Sequence, residues 1–338
     1  MEFGVFCQLD RREGLTEHET FEEWLALAET ADSLGFDCFW LAEFHFRPHS
    51  PLSAPLVLAS AIASRTNRIK VGIAVQLLPL ANPVRLAEEC ATLDHVSGGR
   101  LVYGIGRSSF LDSYRGYNVD YELSRPMFFE ALDVIRKAWR DEPLNHEGEY
   151  YSFRNVNVVP KPYQKPHPPV RIACESRATF PMMGKLGFPI MIRHQMELPQ
   201  LRNLLDEYEA ERHAVGFGGP NQVTLQSTCY IAETAEQAIR EPEATTLHER
   251  RIARLTRAGL EGDAEAASRL GAEPPYEELI RRRLYGTPEA IVDRLREYEA
   301  ALGVTGVSLN MNPGGQLPPD RVLNSLRLFA EQVAPRFA

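Results

Sequence analysis

Two sets of polar side chains stand at the ends of strand-like runs. The first is Glu43 and His45 in FWLAEFHF, residues Phe39–Phe46. Alternation along an extended chain puts both on one side. A histidine beside a carboxylate can hold and move a proton near neutral pH, although the same pair can be purely structural. The second set follows VRIACES, Val170–Ser176, which runs into Arg177-Ala178-Thr179 and a short helix. Hydroxyls at Ser176 and Thr179, together with the free N–H groups of a helix start, suit a phosphate. Arg107, just past LVYGIG, and Arg125, opening the next helix, can reach the same end of a parallel barrel. Taken together they read as a phosphate clamp; taken alone, Arg107 reads equally as half of a surface ion pair.

Other patterns exclude chemistry. GIGRSS, Gly104–Ser109, lacks the third glycine of a dinucleotide fingerprint. It reads better as a strand end where small residues let a flat ligand lie against the backbone. His45 and His49 are separated by Pro48, so they are not a helical metal pair, and no other cluster has ligand spacing. No metal is expected. There is no G-x-S-x-G, no P-loop and no Cys/His nucleophile pattern, so the chemistry must come largely from a cofactor.

These residues need elements to position them, and strand-like and helix-like runs alternate along the chain. The expected strands are Phe3–Leu9, Cys38–Ala42, Ile69–Leu78, Leu101–Gly106, Val170–Cys174, Pro189–Arg193, Val223–Ala232 and Gly306–Asn310. Helices are expected at Phe21–Leu34, Pro55–Ser64, Pro83–Leu93, Pro126–Arg140, Thr179–Leu186, Pro199–Ala214 and Pro319–Val333. The repeat predicts an α/β fold, a (β/α)8 TIM barrel with insertions, with a doubly wound open sheet as the alternative. Two stretches interrupt it. Asn145–Pro169 reads as a β-hairpin built from GEYYSF and VNVV, followed by a proline-rich return. Glu241–Arg283 is long, charged and weakly periodic; it reads as an extra helical excursion or a lid. Neither has the composition of a separate domain, so residues 1–338 read as a single domain.

The chain has 338 residues, 44% of them hydrophobic, enough for one large α/β core. A formal net charge of −9 argues against a nucleic-acid surface. Cys7, Cys38, Cys90, Cys174 and Cys229 show no C-x-x-C spacing and read as buried free thiols. No leader pattern and no long apolar run appear, so a soluble cytoplasmic protein with no membrane contact is expected.

With these residues in view, the chain resembles the bacterial luciferase-like flavin monooxygenases, most closely the luciferase α-subunit type. The matching stretches are FGVF, GFDCFWLAEFHF, KVGIAVQLLPLANPVRLAEE, LDHVSGGRLVYGIGR, SRPM, IACESRAT and GTPEAIVDRL. The resemblance implies a TIM barrel that binds reduced FMN supplied by a separate flavin reductase. Dioxygen would form a C4a-peroxyflavin that hydroxylates, or inserts oxygen into, an organic substrate. By position, Arg107, Arg125, Ser176 and Thr179 match the FMN-phosphate contacts, and Glu175 matches a residue beside the flavin. Ala74-Val75 matches a pair with a cis peptide supporting the flavin ring. His45 matches the second of two adjacent family histidines and is the implied proton handler, with Glu43 behind it.

Several positions depart from the luciferase pattern. Phe44 replaces the first histidine, Gly106 a reactive cysteine, and His194 a ring-stacking tryptophan. Arg193 stands where luciferase has serine, and Phe110 where it has tyrosine. The departures imply no light emission from a long-chain aldehyde and a remodelled substrate pocket lined by Phe6, Phe44, Phe46, Phe110 and Arg193. A homodimer is expected through Pro55–Ser64 and Pro83–Leu93. Two rival readings follow from the same resemblance: a deazaflavin-dependent hydride-transfer enzyme, and a flavin-binding or partner subunit without catalysis.

Overall fold

Residue patterning and caps set where each element begins in this computed structural model, which describes residues 1–194, 196–217, 219, 221–258 and 274–337. The strands are β1 (Glu2–Cys7), β2 (Cys38–Leu41), β3 (Lys70–Leu77), β4 (Leu101–Gly106), β5 (Leu144–Glu147), β6 (Ser152–Val156), β7 (Val170–Cys174), β8 (Ile190–Arg193), β9 (Val223–Ile231), β10 (Leu284–Gly286) and β11 (Gly306–Asn310). The main sheet runs β10-β9-β11-β1-β2-β3-β4-β7-β8, and β9 also pairs with β8. That extra pairing closes the parallel ladder into a (β/α)8 barrel, as expected, and rules out the open sheet. β10 is a short additional strand on the end of β9, where Leu284 pairs with Cys229.

Packing divides the chain into two compact units, residues 1–39 with 174–338, and residues 40–173. In the first, β1 pairs with β11 and β11 with β9, and Val5, Leu225, Val307 and Leu309 are buried. In the second, β3 pairs with β4 and β4 with β7 over buried Val71, Ile73, Leu101, Ile105 and Ile172. All five cysteines are buried free thiols, as expected. Among the described residues, no helix is long and apolar enough to cross a membrane, and no cluster of metal ligands is present.

Local chemistry moved several boundaries. The first helix is Glu17–Leu34, four residues longer than expected at its start. A capping box does this: Thr16 Oγ1 accepts from the Glu19 N–H, and Glu19 Oε2 accepts from the Thr16 N–H at 2.8 Å. β1 ends at Cys7 rather than Leu9, whose φ of 54° lies in the left-handed region and breaks the extended run.

The inserted hairpin is real, but its strands are LNHE and SFRNV rather than GEYYSF and VNVV. Glu130, on the helix Ser124–Ala138, accounts for the shift. Its carboxylate accepts the N–H groups of Glu149, Tyr150 and Tyr151, which makes those residues the turn. Its Oε1 also lies 3.2 Å from His146 Nε2. Burial alone would raise the Glu130 carboxyl, but these donors outweigh it and hold it below the ordinary carboxyl range. A carboxyl depressed by folding contributes stability above its unfolded titration and loses it as pH falls through the folded one. Glu130→Gln should therefore flatten the acid side of the stability–pH curve and expose the hairpin amides of residues 149–151 to hydrogen exchange. An unchanged acid limb would contradict this anchor.

The expected excursion begins as a helix, Glu243–Ala258. That helix is fixed rather than loose at its start. Thr245 Oγ1 donates to the Pro313 carbonyl and accepts from the Gln316 N–H at 3.0 Å. Gly314, at φ 75°, allows the close approach, since a Cβ there would lie 2.8 Å from the Thr245 carbonyl. The lid reading falls partly on residues 259–273, which lie outside the described residues.

Candidate active site

β2 delivers Glu43 and His45 just past its end, and both side chains are buried, 4% and 5% exposed. His45 Nε2 sits 2.7 Å from Glu43 Oε1. The other carboxylate oxygen accepts from Gln76 Nε2 at 2.6 Å and from the Leu77 N–H at 2.9 Å. Both Gln76 and Leu77 lie on β3. Burial pushes the Glu43 carboxyl up, against the opposing pull of His45, Leu77 and Gln76. The second His45 nitrogen, Nδ1, is 3.2 Å from the Tyr117 hydroxyl, and the two rings meet edge to face at 4.8 Å. Gln76 Oε1 is buried and has no hydrogen-bond partner among the described residues. The Glu43–His45 side of the site is therefore a polar chain through a closed interior, with an open acceptor at the Gln76 end.

The aromatic residues around this chain have separate jobs. Phe44 and Phe110 pack edge to face at 6.3 Å, and the Arg47 guanidinium lies over both, 4.7 and 3.6 Å from the ring centres. This wall therefore carries a cation that the sequence had not pointed to. Phe46, 59% exposed, turns toward Tyr117 and fills the space left by Gly116, where a Cβ would lie 2.0 Å from the ring. It fastens the Tyr117 segment over His45. Phe6 is buried on β1, in the other unit.

Gly106 also proves to be a packing position. A Cβ there would meet Val75 Cγ2 at 2.4 Å, so the space that a larger residue would take is filled by Val75. The Ala74–Val75 peptide is cis, as the resemblance implied. Gly106→Ala should cost about 1–3 kcal/mol through overpacking. The same change in a Val75→Ala background should cost much less, a coupling read by a double-mutant cycle in denaturant. Equal costs in both backgrounds would show that Val75 does not set the constraint.

The remaining expected ligands fall in two places. Arg107 is exposed past β4; its Nη1 donates to Ser124 Oγ at 2.9 Å and its guanidinium rests 5.2 Å from the Tyr121 ring. Arg125 is exposed on the first turn of the helix Ser124–Ala138. In the other unit, Ser176 Oγ and Thr179 Oγ1 lie 2.7 Å apart at the start of the helix Thr179–Leu186. Glu175 pairs with Arg193 at 3.5 Å, both substantially exposed. His194 is tied up: Arg294 donates to the Tyr298 hydroxyl at 2.8 Å, and that hydroxyl lies 3.2 Å from His194 Nδ1. Burial, reinforced by Arg294 and Arg282, pushes His194 down to about 4, so it is neutral at physiological pH.

Tyr117, Gln76, Arg47 and Ser124 were not singled out by the sequence. Gln76 had a signal, a polar residue inside the apolar strand KVGIAVQLL. Tyr117 had none, because nothing in YRGYNVD ties it to a residue 72 positions earlier.

The closed parallel ladder defines a (β/α)8 barrel, and Glu43 and His45 stand just past the end of β2, where barrel enzymes carry their reactive groups. Residues 1–305 match the luciferase-like monooxygenases, and the chain belongs to that family. It is 38% identical over 171 residues to protein y4wF of Sinorhizobium fredii, covering 51% of this chain and 50% of that one. It is 30% identical over 208 residues to an alkanal monooxygenase alpha chain of the Kryptophanaron alfredi symbiont, covering 62% and 58%. These alignments span half of the first relative and 58% of the second. Among solved structures, monooxygenase RslO1 from Streptomyces bottropensis superimposes with a TM-score of 0.87 at 27% identity, covering 100% of both chains.

Proposed function

We propose that this chain is the oxygenase of a two-component system that uses reduced FMN and dioxygen to hydroxylate, or insert oxygen into, an organic substrate. Its partners would be a separate flavin reductase and a second copy of itself. Family membership over residues 1–305 carries the reading. The residues present fit the cofactor. Gln76 Oε1 is a buried acceptor without a donor among the described residues, and a reduced flavin ring brings N–H donors. By their positions in the family pattern, Arg107, Arg125, Ser176 and Thr179 are the residues proposed to contact its phosphate.

Reduced FMN supplies the electrons that activate dioxygen. The protein's own residues do the rest. The Val75 and Gly106 packing fixes the strand ends, Phe44 and Phe110 limit water, and the Glu43–His45 pair holds a proton in a buried setting. Anaerobic titration should give a one-to-one complex with reduced FMN. Oxygenated buffer should then yield, with the right substrate, a product heavier by one oxygen atom in the mass spectrum. Tight deazaflavin binding with no oxygen uptake would overturn the reading, and so would flavin binding without turnover across a broad substrate screen.

A further inference from the structure

Both nitrogens of His45 are already engaged, Nε2 by Glu43 at 2.7 Å and Nδ1 by the Tyr117 hydroxyl at 3.2 Å. Neither is left to meet a reactant. The open end of the chain is Tyr117, which is 45% exposed, whereas His45 and Glu43 are buried. The donor directions follow from the inventory of groups. Glu43 Oε2 takes two donors, from Gln76 and Leu77, so the proton shared with His45 lies between Oε1 and Nε2. With Glu43 ionised, Nε2 carries that proton and Nδ1 is the acceptor of the Tyr117 O–H. Burial, with the Glu43 charge adding, raises the Tyr117 hydroxyl, so it stays protonated and is the donor.

We propose that Tyr117 is the residue that transfers protons at this site, with His45 as the proton store and Glu43 as its fixed counter-ion. The inference rests on the flavin reading above and moves the proton-handling role from the His45 ring to the Tyr117 oxygen. In the loaded state His45 carries a proton on each ring nitrogen. Tyr117 gives its hydroxyl proton to the reactant and takes the Nδ1 proton from His45 in the same step. His45 is left neutral, with Nε2–H still on Glu43. Reloading runs the steps backwards, from water through Tyr117 to Nδ1. The logic is that of a hydroxyl–imidazole–carboxylate relay, in which the group behind the hydroxyl sets its readiness. The fold invests in the alignment: Phe46 packs on the Tyr117 ring at 5.5 Å, and a Cβ on the neighbouring Gly116 would displace Phe46.

Tyr117→Phe tests this, because it keeps the ring against His45 and Phe46 and removes only the hydroxyl. Two readouts are needed. The first uses flavin-free protein with 15N-labelled histidine. Wild-type His45 should show Nε2 protonated and Nδ1 as a hydrogen-bonded acceptor, and in Tyr117→Phe the Nδ1 signal should move toward the unbonded position. A wild-type Nδ1 that carries the proton in the neutral ring, or a signal unmoved by the substitution, overturns the relay. The second follows the return of bound reduced FMN to oxidised FMN by dioxygen, FMNH⁻ + O₂ + H⁺ → FMN + H₂O₂, which draws one proton from outside. Loss of a general acid of this kind should slow it about a hundredfold. Tyr117→Phe and His45→Ala should be slowed alike and the double variant no further, with FMN affinity unchanged. Slowing in His45→Ala but not in Tyr117→Phe overturns the proposal while leaving the flavin reading intact. Failure of wild-type protein to bind reduced FMN sinks the flavin reading, and the NMR result then judges the hydrogen-bonded chain alone.

Discussion

Glu43→Ala should lower the stability of the folded protein by about 3–5 kcal/mol, because three buried donors would lose one acceptor together. The carboxylate is the common acceptor for three donors: His45 Nε2, Gln76 Nε2 and the Leu77 N–H. All three sit in the buried interior of residues 40–173, and each loses its acceptor at once. A buried donor left unpaired costs about 1–3 kcal/mol, so even partial rescue by entering water leaves a large deficit. Denaturant unfolding reads it directly, as a lower midpoint with an unchanged slope. A loss under about 1 kcal/mol would mean that these donors find other partners, contrary to the general cost of unpaired burial. Glu43→Gln isolates the charge. Because burial raises the folded carboxyl, the fold holds its proton where the open chain has released it. Wild-type stability should therefore decline as pH rises from the ordinary carboxyl range through the folded titration of Glu43, and Glu43→Gln should lack that decline.

The barrel was legible because its signals are local. Apolar runs such as LVYGIG and VRIAC, and helix ends closed by glycines such as Gly35 and Gly187, stand at the expected places. The helix Pro288–Leu302, absent from the expected elements, carries equally local signals: Thr287-Pro288 at its start, Gly303 at its end and apolar Ile291, Val292, Leu295 and Tyr298 between. The hairpin register was not legible, since it is set by Glu130, a residue outside the hairpin that gathers three N–H groups. The site divides in the same way. Glu43 and His45 are two residues apart, and their closeness in sequence made the pair visible even though both stand just past the end of β2. Tyr117, Arg47 and the fit of Gly106 to Val75 depend on which segments the fold brings side by side, and no short-range pattern carries that information.

The geometry also sharpens what the departures from the luciferase pattern mean. Phe44 does not simply leave a hole where a histidine would be; it forms, with Phe110, the seat of the Arg47 cation. Gly106 does not simply lack a thiol; Val75 occupies its side-chain volume. Each departure is thus matched by a neighbour, and restoring one luciferase residue would disturb packing before it restored chemistry.

Arg107→Ala should weaken reduced-FMN binding about ten- to a hundredfold, the equivalent of about 1.5–3 kcal/mol for a lost charge-assisted contact to a phosphate. Among the described residues, the structure makes this a clean test of binding. Arg107 is exposed, it makes a hydrogen bond to Ser124 Oγ and rests on the Tyr121 ring, and its removal opens no buried cavity. Ser124 keeps its own bond to the Tyr121 carbonyl, so the start of the helix Ser124–Ala138 should hold. Stability should accordingly change by no more than about 0.5 kcal/mol, as for other surface substitutions. Arg107→Lys should recover only part of the affinity, because a point charge cannot reproduce the planar fork of a guanidinium on phosphate oxygens. Anaerobic titration of the three proteins with reduced FMN, at two salt concentrations, decides it. Wild-type and Arg107→Ala affinities that coincide would remove Arg107 from the phosphate site and leave it an ordinary surface cation; a gap that narrows as salt rises is the result expected of a partly exposed charge pair.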